Sequence, residues 1–302
     1  MKPTGMLSRR GFVLGAASSM AALSAMPIAR ADEPKRKAPN KLCAFVKFLQ
    51  SLSFSELADV IADLGFDGIE ATVRPGGQIP PERAEEELPK LVEALRRRGL
   101  EVTIMTTAIN DAHDKLSRTV LKTAADLGVK KYRMGYYRYD LSKPIAPQLN
   151  ELRPALRDLA ALNRELGVAA VYQNHSGAKN VGAPVWDLHE LLRDIPPREI
   201  GVAFDIRHAT VEGGLDWPIH FQLMRPHLGA VYIKDFHWQG RRPENVPLGE
   251  GQVDPAFFKQ LAAADFTGPI SLHVEYLPKA GTDENIAALR RDLATLRKLL
   301  PA

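Results

Sequence analysis

Residues 148–177 read QLNELRPALRDLAALNRELGVAAVYQNHSG, and this stretch contains the structural unit that decides the fold. An amphipathic helical pattern over residues 148–166 is followed by Gly167, which permits the left-handed turn that often ends a helix. Val168–Gln173 is then a short apolar run, typical of a buried parallel strand, and it ends in the polar segment NHSG. The stretch therefore predicts a helix, a strand and a polar loop in that order.

The same unit recurs from residue 41 to residue 302. Apolar runs begin about 30 residues apart and amphipathic patterns fill the intervals, with Ser53 and Asp283 as predicted helix N-caps. Eight such units predict a single-domain α/β protein, a (β/α)8 TIM barrel. The predicted strands are Leu42–Val46, Asp67–Ala71, Glu101–Thr106, Lys130–Gly135, Val168–Gln173, Ile200–Asp205, Ala230–Lys234 and Pro269–Glu275.

A doubly wound open sheet is the alternative fold with this order of elements. Such sheets usually carry a glycine-rich phosphate-binding turn after the first strand. Here the sequence KFLQ follows that strand, and no G-x-x-x-x-G-K-[ST] motif occurs in the chain. We therefore favour the barrel and expect no nucleotide cofactor.

The first 31 residues have the features of an export signal. The segment SRRGF at 8–12 opens an apolar stretch, and Ala29-Arg30-Ala31 offers small residues around a cleavage site. Paired arginines followed by Gly-Phe resemble the twin-arginine type of signal. We expect residues 1–31 to be the signal peptide, 32–40 a linker and 41–302 the barrel. The expected location is the periplasm, reached through the twin-arginine export machinery.

The apolar stretch of this leader is shorter than the roughly 20 residues that a comfortable membrane span needs. We therefore expect no stable span after cleavage, and tethering to the membrane is the alternative if the signal stays uncleaved. The leader also accounts for the formal charge of +4, because it contains four basic residues and no acidic one. The rest of the chain is formally neutral, which argues against a nucleic-acid partner. Cys43 is the single cysteine, so the chain forms no internal disulfide.

Polar residues stand at the ends of the predicted strands, where a TIM barrel has its active site. Each has an ordinary structural alternative: Glu70 pairs with Lys47 or Arg74, and His273 is a satisfied core histidine. Asp205 and Glu275 are the strongest candidates, because both end strongly apolar strands. The candidates are Lys47, Glu70, Arg74, Arg133, Gln173, Asn174, His175, Asp205, His208, Tyr232, Lys234, His237, Trp238, His273 and Glu275.

Six segments in this order resemble the xylose-isomerase-like TIM-barrel superfamily, in particular its sugar phosphate isomerase/epimerase branch. They are LGFDGIEATVRPGG (64–77), VYQNHSG (171–177), FDIRHA (204–209), VYIKDF (231–236), PLGEGQVD (247–254) and GPISLHVEY (268–276). The resemblance covers roughly residues 42–300 and implies a barrel whose mouth binds a sugar and often a divalent metal. It implies metal ligands on strands five to eight: Glu, Asp, His and Glu. Asp205 and Glu275 match this pattern, whereas Gln173 and Tyr232 replace the first glutamate and the histidine.

The resemblance implies an isomerase or epimerase that transfers a proton alpha to the carbonyl of a sugar or keto-sugar. The expected catalytic residues are Glu275, His208, Lys234 and His175. The expected metal ligands, for Mg²⁺, Mn²⁺ or a similar ion, are Gln173, Asp205 and Glu275. The expected substrate-binding residues are Lys47, Glu70, Arg74, Arg133, Asn174, Tyr232, His237 and Trp238.

Two other functions stay open on the same scaffold. A keto-glycoside lyase or hydrolase would begin with the same proton abstraction. A catalytically inactive sugar-binding barrel would explain why Gln173 and Tyr232 replace a base and a metal ligand. The DNA-repair nuclease branch of the superfamily uses a richer His/Asp/Glu cluster, and the formally neutral mature chain disfavours it.

Overall fold

The computed structural model describes residues 40–300. The predicted signal peptide and the linker up to residue 39 lie outside the described residues. The strands are β1 (Leu42–Phe45), β2 (Gly68–Thr72), β3 (Glu101–Thr106), β4 (Lys131–Arg133), β5 (Ala169–Gln173), β6 (Ile200–Asp205), β7 (Leu228–Ile233), β8 (Asp235–Gln239), β9 (Arg242–Val246) and β10 (Ile270–Leu272). The α-helices are α1 (Phe54–Leu64), α2 (Ala84–Arg97), α3 (Lys115–Asp126), α4 (Ile145–Leu166), α5 (Trp186–Leu192), α6 (Ile206–Gly213), α7 (Trp217–Met224), α8 (Ala256–Ala263) and α9 (Thr282–Leu299).

Eight of the strands close into a barrel in the order β1-β10-β7-β6-β5-β4-β3-β2. Every neighbouring pair in this barrel is parallel. The structure therefore confirms the predicted (β/α)8 barrel, and the barrel strands overlap all eight predicted runs. Because all eight strands point the same way, their C-terminal ends gather at one mouth.

Local signals in the sequence explain where the helices begin and end. Ser53 caps α1: its hydroxyl accepts from the Glu56 amide, and the Glu56 carboxylate accepts from the Ser53 amide at 2.8 Å. Gly65 ends the helix with φ of +83°, a conformation that glycine adopts without strain. The prediction of Asp283 as a cap is wrong, because Gly281 caps α9 and Asp283 lies in its first turn.

Two layers of apolar side chains hold the barrel together. The larger layer lies between the strands and the surrounding helices. The smaller one lies inside the barrel, and its residues come from five strands and are completely buried: Cys43, Ile104, Val171, Ala203, Ala230 and Tyr232. Such an interior is a packed core and not a channel, so the site lies above it.

Two elements were not predicted from the sequence. Helix α6 begins directly after β6, and the Asp205 side chain caps it by accepting from the His208 amide at 3.1 Å. Strands β8 and β9 form an antiparallel hairpin between β7 and α8, where the sequence suggested only a loop. The Asp235 carboxylate anchors this insertion, because it accepts four backbone N–H groups, from residues 236, 249, 251 and 253, at 2.8–3.1 Å.

The barrel closes between its first and last strands. Leu42, Cys43 and Ala44 of β1 pair with residues 270–272 of β10. Just before β1, the Asn40 amide donates to the carbonyl oxygens of Phe266 and Gly268 at 3.0 and 2.7 Å. Between residues 40 and 300, no helix combines the length and the apolar character that crossing a membrane requires.

Candidate active site

A cavity of about 130 Å³ opens at the C-terminal mouth of the barrel. Its volume is below the 300–1,000 Å³ of typical drug-sized ligand pockets, so it suits a small polar ligand or the reacting end of a larger one. Seven of the ten residues that line it were expected from the sequence to bind substrate or metal or to act in catalysis. The lining is Phe45, Lys47, Arg74, Arg133, Tyr136, Gln173, His175, Lys234, His273 and Glu275.

A larger cavity of about 610 Å³ lies at the opposite end of the barrel. It is lined by residues that precede or start the strands, such as Lys41, Glu101 and Lys131. Lys41 and Glu101 already pair with each other at 2.6 Å on the protein surface. We assign the active site to the smaller cavity, because titratable groups converge there and the mouth is the catalytic end of this fold.

Lys234 is the central charge of the mouth. Its side chain is 5% exposed, and its Nζ lies 2.7 Å from Glu275 Oε2 and 3.2 Å from Asp205 Oδ2. Burial alone would lower the pKa of Lys234, but the two carboxylates outweigh burial and raise it, so the amine is protonated. Burial would likewise raise the pKa of Glu275, but Lys234 and then His273 hold it well below its usual range. The mouth therefore contains an ammonium clamped between two side-chain carboxyl groups.

Gln173 lies beside this pair with a fixed orientation. Its Oε1 accepts from Arg133 Nη1 at 3.0 Å and from the Tyr136 hydroxyl. Because a guanidinium only donates, the amide oxygen must face Arg133. The amide nitrogen consequently points the other way and donates to Asp205 Oδ2 at 2.7 Å.

His175 and His208 stack on each other with ring centroids 3.9 Å apart. His175 Nδ1 lies 2.9 Å from the carbonyl oxygen of Ser176, which only accepts, so Nδ1 carries the proton and Nε2 the lone pair. Burial and then the charge of Lys234 lower the pKa of His175. His175 therefore presents a neutral imidazole to the cavity with Nε2 as a proton acceptor.

His208 has the opposite tautomer and does not line the cavity. Arg207 Nη1 lies 3.0 Å from its Nδ1, and since a guanidinium only donates, Nδ1 accepts and Nε2 carries the hydrogen. That Nε2 lies 3.6 Å from Asp205 Oδ2. Burial, followed by Lys234, lowers the pKa of His208 well below its ordinary value. His208 lies on helix α6 against His175 and outside the cavity lining, and its catalytic role stays a prediction.

A second polar layer lies below the cavity around Glu70, which has no exposed surface. Its carboxylate accepts from Ser271 Oγ at 2.6 Å, from Thr106 Oγ1, and contacts His273 Nε2 at 2.9 Å. Burial would raise the pKa of Glu70, but His273 and then Arg133 and Ser271 lower it to about 2. Glu70 was expected to bind substrate; in the structure it lies outside the cavity lining and contacts His273, which lines the cavity.

Four other predicted substrate-binding residues also lie away from the cavity lining. Asn174 is buried and exchanges two hydrogen bonds with the Asp205 backbone, at 2.7 and 3.1 Å. Tyr232 is completely buried and its ring lies against that of His273, 4.4 Å between centroids. His237 and Trp238 lie on strand β8 of the hairpin, with Trp238 47% exposed.

The expected metal ligands do not fit a divalent ion. Gln173, Asp205 and Glu275 do converge, but Gln173 turns its nitrogen toward Asp205, and Lys234 lies against both carboxylates. Within residues 40–300 no group of three or more His, Cys, Asp or Glu side chains is arranged to hold a metal. Burial and Glu70 raise the pKa of Tyr232 well above its ordinary value, so this phenol supplies no anionic ligand either.

Three residues of the lining had no catalytic, metal-binding or substrate-binding role in the sequence predictions: Phe45, Tyr136 and His273. Phe45 ends β1 and stacks on His273 with centroids 4.4 Å apart. Tyr136 follows β4 by three residues and contacts both Arg133 and Gln173. Tyr136 and His273 are polar residues near strand ends, the criterion that selected the other seven, whereas the apolar Phe45 does not meet it.

The chain is similar to a known protein family and to several solved structures. The family described as xylose isomerase-like TIM barrel matches residues 58–299. A Rhodospirillum rubrum protein with a provisional xylose isomerase name superposes with a TM-score of 0.71 at 18% identity, covering 87% of this chain and 100% of that one. A search of curated proteins gave no significant match.

Two sugar epimerases also share the fold. The 3-keto-D-glucoside 4-epimerase of E. coli superposes with a TM-score of 0.66 at 19% identity, covering 86% of this chain and 99% of its own. D-psicose 3-epimerase of Clostridium cellulolyticum H10, solved with D-tagatose, gives 0.67 at 13% identity, covering 87% and 100%. At these identities the likeness establishes the barrel alone.

Proposed function

This chain belongs to the xylose isomerase-like TIM barrel family, and from that premise we propose that it is an isomerase or epimerase of keto-sugars. The reaction is a proton transfer at the carbon next to a carbonyl group. The observation that carries the proposal is that a neutral histidine with a free Nε2 and a protonated lysine line the same small cavity.

In the first step, His175 Nε2 takes the proton from the carbon alpha to the substrate carbonyl. The electron pair of that C–H bond forms a carbon–carbon double bond, and the carbonyl π electrons move onto oxygen to give an enolate. Lys234 stabilises this oxygen: an ammonium has three donors, and Asp205 and Glu275 use two of them. A buried ammonium is an effective partner for a developing oxyanion.

The second step returns a proton to carbon. Return from His175 to the neighbouring carbon, with the corresponding shift of a hydroxyl proton, gives an isomerase. Delivery to the opposite face of the same carbon gives an epimerase and needs a second acid. Glu275, the carboxyl group on the cavity wall, is held ionised by Lys234 and has no proton to deliver, so the arrangement favours the isomerase.

The remaining cations of the cavity serve in substrate binding. Lys47 lies 3.8 Å from Glu275 Oε1 with a 40% exposed side chain, so it can turn toward a ligand. Arg74 is half-buried and lines the same wall as Arg133. Guanidinium groups in this setting donate to sugar hydroxyls, carboxylates or phosphates.

The test is exchange of the alpha proton in D₂O, followed by proton NMR. The substrates are D-psicose, D-tagatose and a 3-keto-D-glucoside, compounds named with the epimerases that share the fold. Wild type should incorporate deuterium next to the carbonyl. His175→Asn keeps a donor for Ser176 and removes Nε2, so exchange should fall about 10²–10⁴-fold. The matched control, His113→Asn, changes a histidine that is 79% exposed and outside the cavity, and should exchange like wild type.

Two other results would overturn the proposal. Binding of these sugars without exchange would favour a sugar-binding barrel. Exchange coupled to loss of the substituent on the next carbon would identify a lyase, because the same enolate expels a leaving group placed beta to the carbonyl. Equal exchange in wild type and His175→Asn would remove His175 as the base and leave Glu275 in that role.

We also propose that the enzyme works in the periplasm, on the basis of the SRRGF segment and the Ala29-Arg30-Ala31 site. Replacing Arg9 and Arg10 with lysine should retain the full chain in the cytoplasm of a host that has the twin-arginine system. Cell fractionation with an antibody to the barrel measures this. Export that is unaffected by the double change would contradict the twin-arginine route.

A further inference from the structure

Asp205 and Glu275 hold a cation of the protein itself. Lys234 Nζ contacts one oxygen of each carboxylate, at 3.2 and 2.7 Å, and all three groups are inside the barrel mouth. Lys47 approaches the other oxygen of Glu275 only to 3.8 Å, from the solvent side. The two carboxylates therefore bind one positive charge between them, and that charge is covalently attached to the chain.

The distances and donors around Asp205 and Glu275 suit an ammonium group better than a divalent metal ion. An ammonium donates hydrogen bonds to oxygen at about 2.7–3.2 Å, whereas a divalent metal takes several oxygen ligands at about 2.0–2.6 Å. Gln173 offers its nitrogen here, because Arg133 and Tyr136 bind its oxygen. The other oxygen of Asp205 accepts from the His208 amide. Additional oxygen ligands for a metal are thus already bound to other groups.

We propose that the Lys234 ammonium occupies the cation position between Asp205 and Glu275, so that this barrel mouth carries its positive charge on a lysine in place of a divalent metal ion. Like charges a few ångströms apart in a buried site repel strongly, so the lysine and a divalent ion exclude each other. Removing the lysine leaves two carboxylates with no cation between them, which is a site that attracts a divalent ion. The inference is independent of the proposed sugar chemistry, because its test reads metal binding and not turnover.

The experiment is a titration of the purified protein with Mn²⁺, in which electron paramagnetic resonance measures free Mn²⁺. Wild type is compared with Lys234→Met, which keeps the length of the side chain and removes its charge. We expect Lys234→Met to bind one Mn²⁺ at least about tenfold more tightly than wild type. The additional change Glu275→Gln should abolish the gain. Thermal unfolding with and without Mn²⁺ is the second readout, because an ion that binds only the folded state raises the midpoint.

Lys47→Met is the matched control, since it removes the other lysine near Glu275 while leaving Lys234 in place. It should bind Mn²⁺ as wild type does. If Lys234→Met does not fold, Lys234→Gln takes its place in both measurements.

Either of two outcomes overturns the proposal. The first is that wild type already holds one Mn²⁺ that Asp205→Asn removes. The second is that folded Lys234 variants bind Mn²⁺ no better than wild type, since the lysine would then not be what keeps the ion out. Failure of the deuterium-exchange test with a positive Mn²⁺ result would reject the sugar chemistry and leave Lys234 in the cation position.

Discussion

Glu70 is a buried carboxylate whose removal should destabilise the barrel in a pH-dependent way. Its side chain is completely buried, and Ser271, Thr106 and His273 surround its two oxygens. The change Glu70→Gln keeps the shape and removes the charge. The new amide group would also place donors against donors, so part of the hydrogen bonding would be lost as well.

The pKa of Glu70 gives the magnitude of the effect. It lies at about 2 in the folded protein against an ordinary 4.5, because His273, Arg133 and Ser271 outweigh the effect of burial. At 1.36 kcal/mol per pH unit, this difference corresponds to on the order of 3 kcal/mol of stability. A carboxylate with a lowered pKa stabilises the fold above pH 4.5, and the contribution is lost as the pH falls toward 2.

The assay is guanidinium unfolding of wild type and Glu70→Gln at pH values from 7 down to about 3. At pH 7 the variant should be less stable by about 3 kcal/mol, and in a separate thermal scan its midpoint temperature should be about 6–12 °C lower. The gap between the two proteins should narrow steadily below pH 4.5. Glu93→Gln, which removes an exposed carboxylate paired with Arg97 at 2.9 Å, is the control and should change stability by less than about 0.5 kcal/mol.

A gap that stays constant from pH 7 to pH 3 would refute the reasoning, because it would mean that the pKa of Glu70 is the same in the folded and the unfolded protein. A gap that widens on acidification would reverse the sign of the predicted pKa shift. In that second case Glu70 would be protonated in the folded protein, and neutral hydrogen bonds would hold the lower polar layer.

Other predictions concern groups away from the cavity. Burial and then Glu70 raise the pKa of the Cys43 thiol. Ellman's reagent at pH 8 should therefore react with no thiol in the folded protein and with one thiol after guanidinium unfolding. Reaction in the native state would contradict the packing of β1. Asp235→Asn leaves one acceptor oxygen for four N–H groups, so the free energy of unfolding, measured in urea, should fall by about 2–4 kcal/mol. An unchanged free energy of unfolding would mean that these hydrogen bonds do not stabilise the insertion. Asn163 accepts from Tyr132 and donates to Glu199, both at 2.9 Å, so Asn163→Ala should cost about 2 kcal/mol in the same assay, and a change under 0.5 kcal/mol would show that water replaces it.

The sequence was sufficient to predict the barrel and the end at which its polar groups gather. Apolar runs spaced by amphipathic helices give the order of elements, and parallel strands bring their C-terminal ends together. These are local rules, so they hold without knowledge of the packing.

Those rules do not predict how deeply each side chain is buried in the barrel. Glu70 lies within β2 and Glu275 lies three residues past β10, yet both appeared in the sequence as acids near strand ends. Which of them reaches the cavity depends on how far neighbouring strands are staggered around the barrel, a property of all eight strands together. The tautomers of His175 and His208 similarly follow from Ser176 and Arg207, contacts that no spacing pattern contains.

The closure of β1 on β10 has a consequence for the order of events in folding. The Asn40 side chain bonds to carbonyls 226 and 228 positions away, so this seam has a very high contact order. While the ribosome is still making the last strand, β1 and β7 each present an unpaired edge, and such edges invite association with other chains. A chain released before residue 270 would keep both edges open for its lifetime. The barrel can therefore close only once residues 270–272 have been made and inserted between β1 and β7.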